Sequence, residues 1–149
     1  MGAAVLKSAD ANPMEPIVSD SFCPFCPPRP DQVLIERPLA FLQRDTHPVS
    51  DGHALVIPRR HVASFFDTTP AERQAMLDLL DEAKTLIDGA HRPDGYNLGI
   101  NNGAAAGQSV MHVHLHVIPR YRGDKSDPRG GVRWVLPEKA VYKRKDPPR

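Results

Sequence analysis

The chain lacks most of the signatures that would send it outside the cytosol or onto a polyanion. No apolar run approaches the roughly 18 residues that cross a bilayer, and the opening Met1–Lys7 stretch lacks the apolar core of a signal peptide. Leu6 stands where a myristoylation signal needs Ser or Thr. A formal net charge of +1 leaves no basic footprint for nucleic acid and no pull toward an anionic membrane. The expectation is therefore a cytoplasmic protein with neither nucleic acid nor membrane as partner. Only two cysteines occur, at positions 23 and 26, and in a cytosolic chain such a pair argues for metal or redox chemistry rather than a structural disulfide.

What is present fits one soluble domain: 149 residues, 40 % hydrophobic and 25 % charged. Its chemistry concentrates between Gln108 and Pro119. His112, His114 and His116 alternate with Val113, Leu115 and Val117, so on a strand the three imidazoles line one face and the apolar residues the other. Successive imidazoles then stand about 6.5–7 Å apart, close enough to surround a phosphate or a metal ion. As three ligands of one zinc they would splay over about 13 Å, too far for bonds near 2.0 Å, which argues against a catalytic zinc held by all three. Ahead of them, the small residues Gly103 to Gly107 let backbone N–H groups approach a ligand closely.

The cysteines sit in Phe22-Cys23-Pro24-Phe25-Cys26-Pro27-Pro28. A thioredoxin-like site places its second cysteine in the first turn of a helix, and Pro27, Pro28 and Pro30 deny that helix any length. Zinc is the better reading. It needs four ligands, so two more must come from elsewhere, and the histidines are the supply.

Around these motifs the sequence outlines a scaffold. Val33–Glu36 and Leu39–Gln43 read as a hairpin broken at Arg37-Pro38, and Ala54–Ile57 as a buried strand after a Pro- and Gly-punctuated loop. Thr69 reads as an N-cap with Pro70 at the first helical position and Glu72 closing a capping box. Met76, Leu79, Leu80, Ala83, Leu86 and Ile87 then give one apolar stripe up to Gly89. Tyr96–Asn102 alternates like a strand, residues 120–131 read as a solvated loop carrying Arg120, Arg122 and Arg129, and Val132–Leu136 reads as a last strand. Residues 1–20 form a flexible arm, 21–137 the folded domain, and 138–149 a charged, mobile tail. His47 is expected on the surface.

His112 to Ile118 resembles, at every position, the His-φ-His-φ-His-φ-φ motif (φ apolar) of the histidine-triad, or HIT, family. The resemblance implies an α+β fold, with about five antiparallel strands and one main helix packed on them. It implies a nucleotide hydrolase or nucleotidyl transferase that cleaves at the α-phosphate of dinucleoside polyphosphates or nucleoside phosphoramidates. In that chemistry His114, the middle histidine, attacks phosphorus to form a nucleotidyl-imidazole that water then cleaves, with His116 and Ser109 as further catalytic groups. Neutral imidazole is abundant near pH 7, so the chemistry suits the residue. Asp45, eight positions before His53 of the Gly-His pair, corresponds to a ribose contact. His53, Asn101, Gly107 and Gln108 correspond to groups around the phosphates. In zinc-bearing bacterial relatives the Cys-x-x-Cys pairs with the histidine of a Pro-x-x-His segment and the first triad histidine, which gives Cys23, Cys26, His61 and His112 as a structural zinc set with no catalytic metal. A purine nucleotide substrate and a homodimer are implied as partners, with Phe22, Phe25 and Phe41 as candidate walls of a purine cleft. A nucleotide-binding module with little turnover is the competing class, since it would share every binding residue. The spacing at Gln43-Arg44 is two residues longer than in members with Asp directly after Phe-Leu.

Overall fold

The computed structural model describes residues 22–141, so the expected arm at 1–20 and the end of the expected tail lie outside the described residues. Five strands, β1 (Val33–Glu36), β2 (Ala40–Arg44), β3 (Ala54–Pro58), β4 (Gly95–Gly99) and β5 (Leu115–Arg120), form one antiparallel sheet in the order β1-β2-β3-β5-β4. One helix, α1 (Pro70–His91), crosses it. This is the expected architecture. Among the described residues no helix is long and apolar enough to cross a membrane.

The middle strands are covered on both faces, which is why β3 reads Ala-Leu-Val-Ile-Pro without a polar residue and is buried throughout. Alternate side chains divide between two cores. Ala40, Leu42, Ala54, Val56 and Val117 meet Met76, Leu79, Ala83 and Ile87 of α1, while Phe41, Leu55 and Ile57 meet Phe25 on the opposite face. Each fully buried Leu, Ile, Met or Phe contributes about 1.5–3 kcal/mol. The helix begins as the sequence predicts. Thr69 Oγ1 accepts from the Glu72 N–H at 3.2 Å and Glu72 Oε2 accepts from the Thr69 N–H at 2.8 Å. Arg60 also donates twice to that carboxylate at 2.8 Å, and the two arrangements together hold its pKa down to about 2. The helix runs past Gly89 to His91 and stops with Arg92 in the left-handed region at φ 52°.

Three expectations change. Only the last triad histidine lies in a strand, because β5 begins at Leu115. Continued two residues past Val56↔Leu115, this register would pair Val113 with Pro58, and proline has no N–H to donate. His112–His114 instead lie outside the ladder, leaving a bend at Val110–His112, with one backbone bond, Val113 N–H to Val62 C=O at 2.7 Å. Second, Val132–Leu136 is not a strand. Gly131–Val135 forms a 3₁₀ helix, entered through Gly130 at φ 95° and Gly131 at φ 49°. A Cβ on Gly130 would stand 2.3 Å from the Ala140 carbonyl oxygen, so only glycine fits this crossing. Third, the folded segment does not end at 137: Pro137–Lys139 makes a 3₁₀ turn and Ala140 is fully buried.

Candidate active site and metal site

The site occupies the sheet face opposite α1. On β3 and β5, Leu55 pairs with His116, which places His116 on the Leu55 face, away from the helix. His53 enters from the turn before β3, where Gly52 at φ 83° lets the backbone double back. Asp45 follows β2 and is tied to the same turn by its N–H donating to the His53 carbonyl at 3.1 Å.

The triad histidines divide between two proton arrangements, fixed by their partners. A carbonyl can only accept, so the ring nitrogen facing one must carry hydrogen. His112 Nε2 meets Pro58 O at 2.8 Å, which places its proton on Nε2 and leaves the Nδ1 lone pair facing Cys23 Sγ at 3.4 Å and Cys26 Sγ at 3.3 Å. His114 Nδ1 meets His112 O at 2.8 Å, which leaves Nε2 with its lone pair. The Val49 N–H donates to His53 Nδ1 at 3.2 Å, so neutral His53 carries its proton on Nε2. That proton points at His116 Nδ1, 3.1 Å away, with Asp45 Oδ2 at 3.4 Å. His116 therefore accepts at Nδ1 and carries hydrogen on Nε2. Burial pushes His53 below the ordinary histidine range despite Asp45. Burial and the neighbouring His114 and His53 push His116 down to about 4, so both rings are neutral at pH 7. The His114 and His116 rings stand edge-on at 4.9 Å.

Cys23, Cys26, His61 and His112 come together from three segments, with their ligand atoms all within 4.8 Å of one another. Tetrahedral zinc with Zn–S of about 2.3 Å and Zn–N of about 2.0 Å has S···N edges of about 3.5 Å. The observed edges are 3.4, 3.3 and, from Cys26 Sγ to His61 Nδ1, 3.6 Å. His112 has the tautomer a ligand requires and an outer carbonyl to hold it. These residues fit zinc. Asp45, His53 and His116 are also close enough for an ion, yet the Val49 amide places the His53 proton on Nε2, the very atom that would have to coordinate.

The remaining expected residues divide. Asn101 lines a cleft of 590 Å³ together with His53, His116, Leu98, Ile100 and Trp134. Ser109 is exposed nearby in sequence, and Gly107, at φ 83°, turns the loop before it. Gln108 is built into that loop. Its Oε1 accepts from the Gly103 N–H at 2.7 Å, and its Nε2 donates to the carbonyls of Ala63 at 2.8 Å and Val110 at 3.1 Å. Of the three phenylalanines, Phe41 is core, Phe22 is exposed, and Phe25 is buried against the triad. His47 is exposed as expected. Arg120, the last residue of β5 rather than a loop residue, pairs with Asp124, and Arg129 pairs with Asp127. Sequence reasoning missed three contributors. The Val49 amide sets a tautomer, and Asn102 Oδ1 braces the Phe65 N–H at 2.7 Å. Trp134 walls the cleft because its segment turns instead of extending. The Gly130-Gly131 pair was the one available signal for it.

Residues 27–123 match the family model described as the HIT domain. The chain belongs to the HIT family. An uncharacterized HIT-like protein of Mycoplasma genitalium is 42 % identical over 90 residues, covering 60 % of this chain and 62 % of that protein. The AP-4-A phosphorylase of Mycobacterium tuberculosis is 36 % identical over 87 residues, covering 58 % of this chain and 45 % of the enzyme. Among solved structures, a Zn-bound histidine triad family protein from Mycobacterium smegmatis aligns with a TM-score of 0.64 at 34 % identity, covering 70 % of this chain and 79 % of that one. The chain spans less than two thirds of the length of these two curated relatives.

Proposed function

We propose that the protein cleaves at the α-phosphate of a purine dinucleoside polyphosphate or nucleoside phosphoramidate through a covalent nucleotidyl-His114 intermediate. The observation that carries this reading is the His114 tautomer. With Nδ1–H held by the His112 carbonyl, the neutral ring keeps its lone pair on Nε2, the atom that attacks. Nε2 attacks the α-phosphorus and the bond to the leaving group breaks. Water then attacks the same phosphorus, the P–N bond to His114 breaks, and the nucleotide leaves. His116 presents Nε2–H as a hydrogen-bond donor to charge developing on phosphoryl oxygen. With its pKa near 4 it is not a store of spare protons, which leaves the exposed hydroxyl of Ser109 to meet the leaving group. Asn101 and the Gly107 turn flank the phosphates, His53 orients His116, and Gln108 shapes the loop. Asp45 has one oxygen toward His53 and the other accepting from the His47 N–H at 2.8 Å, at the rim where ribose hydroxyls would approach. Zinc held by Cys23, Cys26, His61 and His112 would supply cross-linking of three segments behind the reacting groups rather than chemistry.

The relative named AP-4-A phosphorylase supports a polyphosphate substrate. The test is AMP release from diadenosine tetraphosphate and from adenosine 5′-phosphoramidate, with His114→Ala as control. Loss of release in the variant supports the nucleophile, and the preferred substrate selects the branch. Binding of nucleotide with no release from either would instead favour a binding module.

A further inference from the structure

Phe25, between the two cysteines, packs against His112 of the metal set and against His114. It is 7 % exposed. Its ring meets that of His112 edge-on at 5.8 Å and 76°, and that of His114 at 5.3 Å and 67°. Behind it lie Phe41, Leu55 and Ile57, so it cannot retreat without opening the second core. Edge-to-face ring pairs at these separations are directional.

His114 needs such a contact. Among the described residues its ring makes one hydrogen bond, Nδ1–H to the His112 carbonyl, which fixes one atom of the ring and leaves the plane free to tilt about that bond. Aligned attack requires the reacting atoms about 3–3.5 Å apart, and a misplacement of about 1 Å can lower a rate by about 100-fold. The tilt is limited by two neighbouring rings, His116 at 4.9 Å and Phe25 at 5.3 Å. The loop that carries Phe25 is itself tied to His112 through both thiols, and His112 provides the acceptor for His114.

We propose that Phe25 is a positioning residue for His114: with the His112 carbonyl it holds the nucleophile in one tautomer and one plane, and so couples the Cys23–Cys26 loop to the reaction. This rests on the reading of His114 as nucleophile. The test uses the zinc-loaded protein and Phe25→Leu, which keeps an apolar side chain and removes the ring. Side-chain ¹⁵N NMR of His114 in the unaltered protein should show a single Nδ1–H tautomer. In Phe25→Leu, at equal zinc content, it should become a mixture. Nucleotidyl-enzyme formation should slow by about 10- to 100-fold, while the Kd for AMP changes by less than about threefold.

A Phe25→Leu protein that keeps both the tautomer and the rate overturns the proposal. So does weakened AMP binding at an unchanged rate, because that would make Phe25 a wall of the ligand site, and so does a mixed tautomer in the unaltered protein. The NMR measurement needs no turnover and no variant, so it decides even if Phe25→Leu fails to fold. If His114→Ala still forms the covalent intermediate, the nucleophile assignment has failed instead, and that outcome is read separately.

Discussion

Acidification puts the His53–His116 pair under direct strain. In the folded protein His116 is pushed down to about 4 by burial and by its His114 and His53 neighbours, with Asp45 only partly opposing, whereas in an unfolded chain it titrates near 6.5. Above about pH 7 neither state holds a proton on this ring, and it adds nothing to the pH dependence. Between about 6.5 and 4 the unfolded chain takes up a proton that the folded ring refuses, so stability must fall as pH falls through this window. A lowering from 6.5 to about 4 corresponds to about 3 kcal/mol at 1.36 kcal/mol per pH unit. The side chain is 21 % exposed, and solvent relaxation brings the expected loss to about 2 kcal/mol. The assay is urea unfolding from about pH 7 to about pH 4.5, on the unaltered protein and on His116→Asn. Zinc release and carboxylate protonation affect both proteins, so the difference between their curves isolates the ring. The unaltered protein should lose about 2 kcal/mol more than the variant over this range; parallel curves would refute the assignment of His116 as a buried neutral imidazole.

Chelation should lower the melting temperature sharply, because ligand binding to a folded metal set contributes directly to folding free energy; Cys26→Ser should mimic it, and an unchanged Tm after complete metal removal would rule out a structural zinc. Gln43 is buried at 2 % exposure with its Oε1 accepting no hydrogen bond among the described residues. Gln43→Leu should therefore raise stability by about 1 kcal/mol in denaturant titration, and a loss instead would show that the amide has a structural partner. Gly130→Ala meets both a left-handed φ of 95° and the Ala140 carbonyl. It should destabilise by about 2 kcal/mol or more and shift the fluorescence of Trp134, the one tryptophan; an unchanged spectrum and midpoint would show that the C-terminal turn accommodates the methyl group.

Local rules carried most of the scaffold because its elements obey them locally. Thr69, Pro70 and Glu72 announce the start of α1 and form the predicted cap, and Met76, Leu79, Ala83 and Ile87 of the expected stripe lie on the sheet, whereas Leu86 is exposed. The metal set was legible through the Cys-x-x-Cys spacing and the family resemblance, and the four residues do converge. What the sequence could not show were choices made by distant backbone groups. Gln108 is polar and beside the triad, which suits a phosphate ligand, but whether its amide faces outward or braces Gly103, Ala63 and Val110 depends on where those three loops end. Val132–Leu136 is short and mostly apolar, as an edge strand would be, yet the sheet edge at β4 is met by a 3₁₀ segment, Gly131–Val135. A five-residue apolar run does not distinguish the two conformations.

The strand that begins late is the departure with chemical consequences. β5 lies between β3 and β4, so in a continued ladder the carbonyls of residues 112–114 would be committed to strand partners on either side. Pro58 interrupts that ladder from the β3 side, and two carbonyls become available to side chains. The carbonyl of Pro58 accepts from His112 Nε2–H and turns that ring's lone pair toward the thiols. The carbonyl of His112 accepts from His114 Nδ1–H and leaves that ring's lone pair on Nε2. His116, inside the ladder, finds no such backbone acceptor for its ring and takes its tautomer from His53 instead. Three identical side chains at a two-residue spacing are thus given two tautomers, Nε2–H on His112 and His116 and Nδ1–H on His114, and the point at which one strand pairing stops sets those of His112 and His114. Restoring an N–H at position 58 while keeping the apolar bulk, as in Pro58→Val, is expected to favour ladder extension toward Val113 at the expense of both carbonyl contacts. In zinc-loaded protein, side-chain ¹⁵N spectra of His112 and His114 should then lose their fixed tautomers together, and a variant that retained both would show that the proline is not what ends the strand.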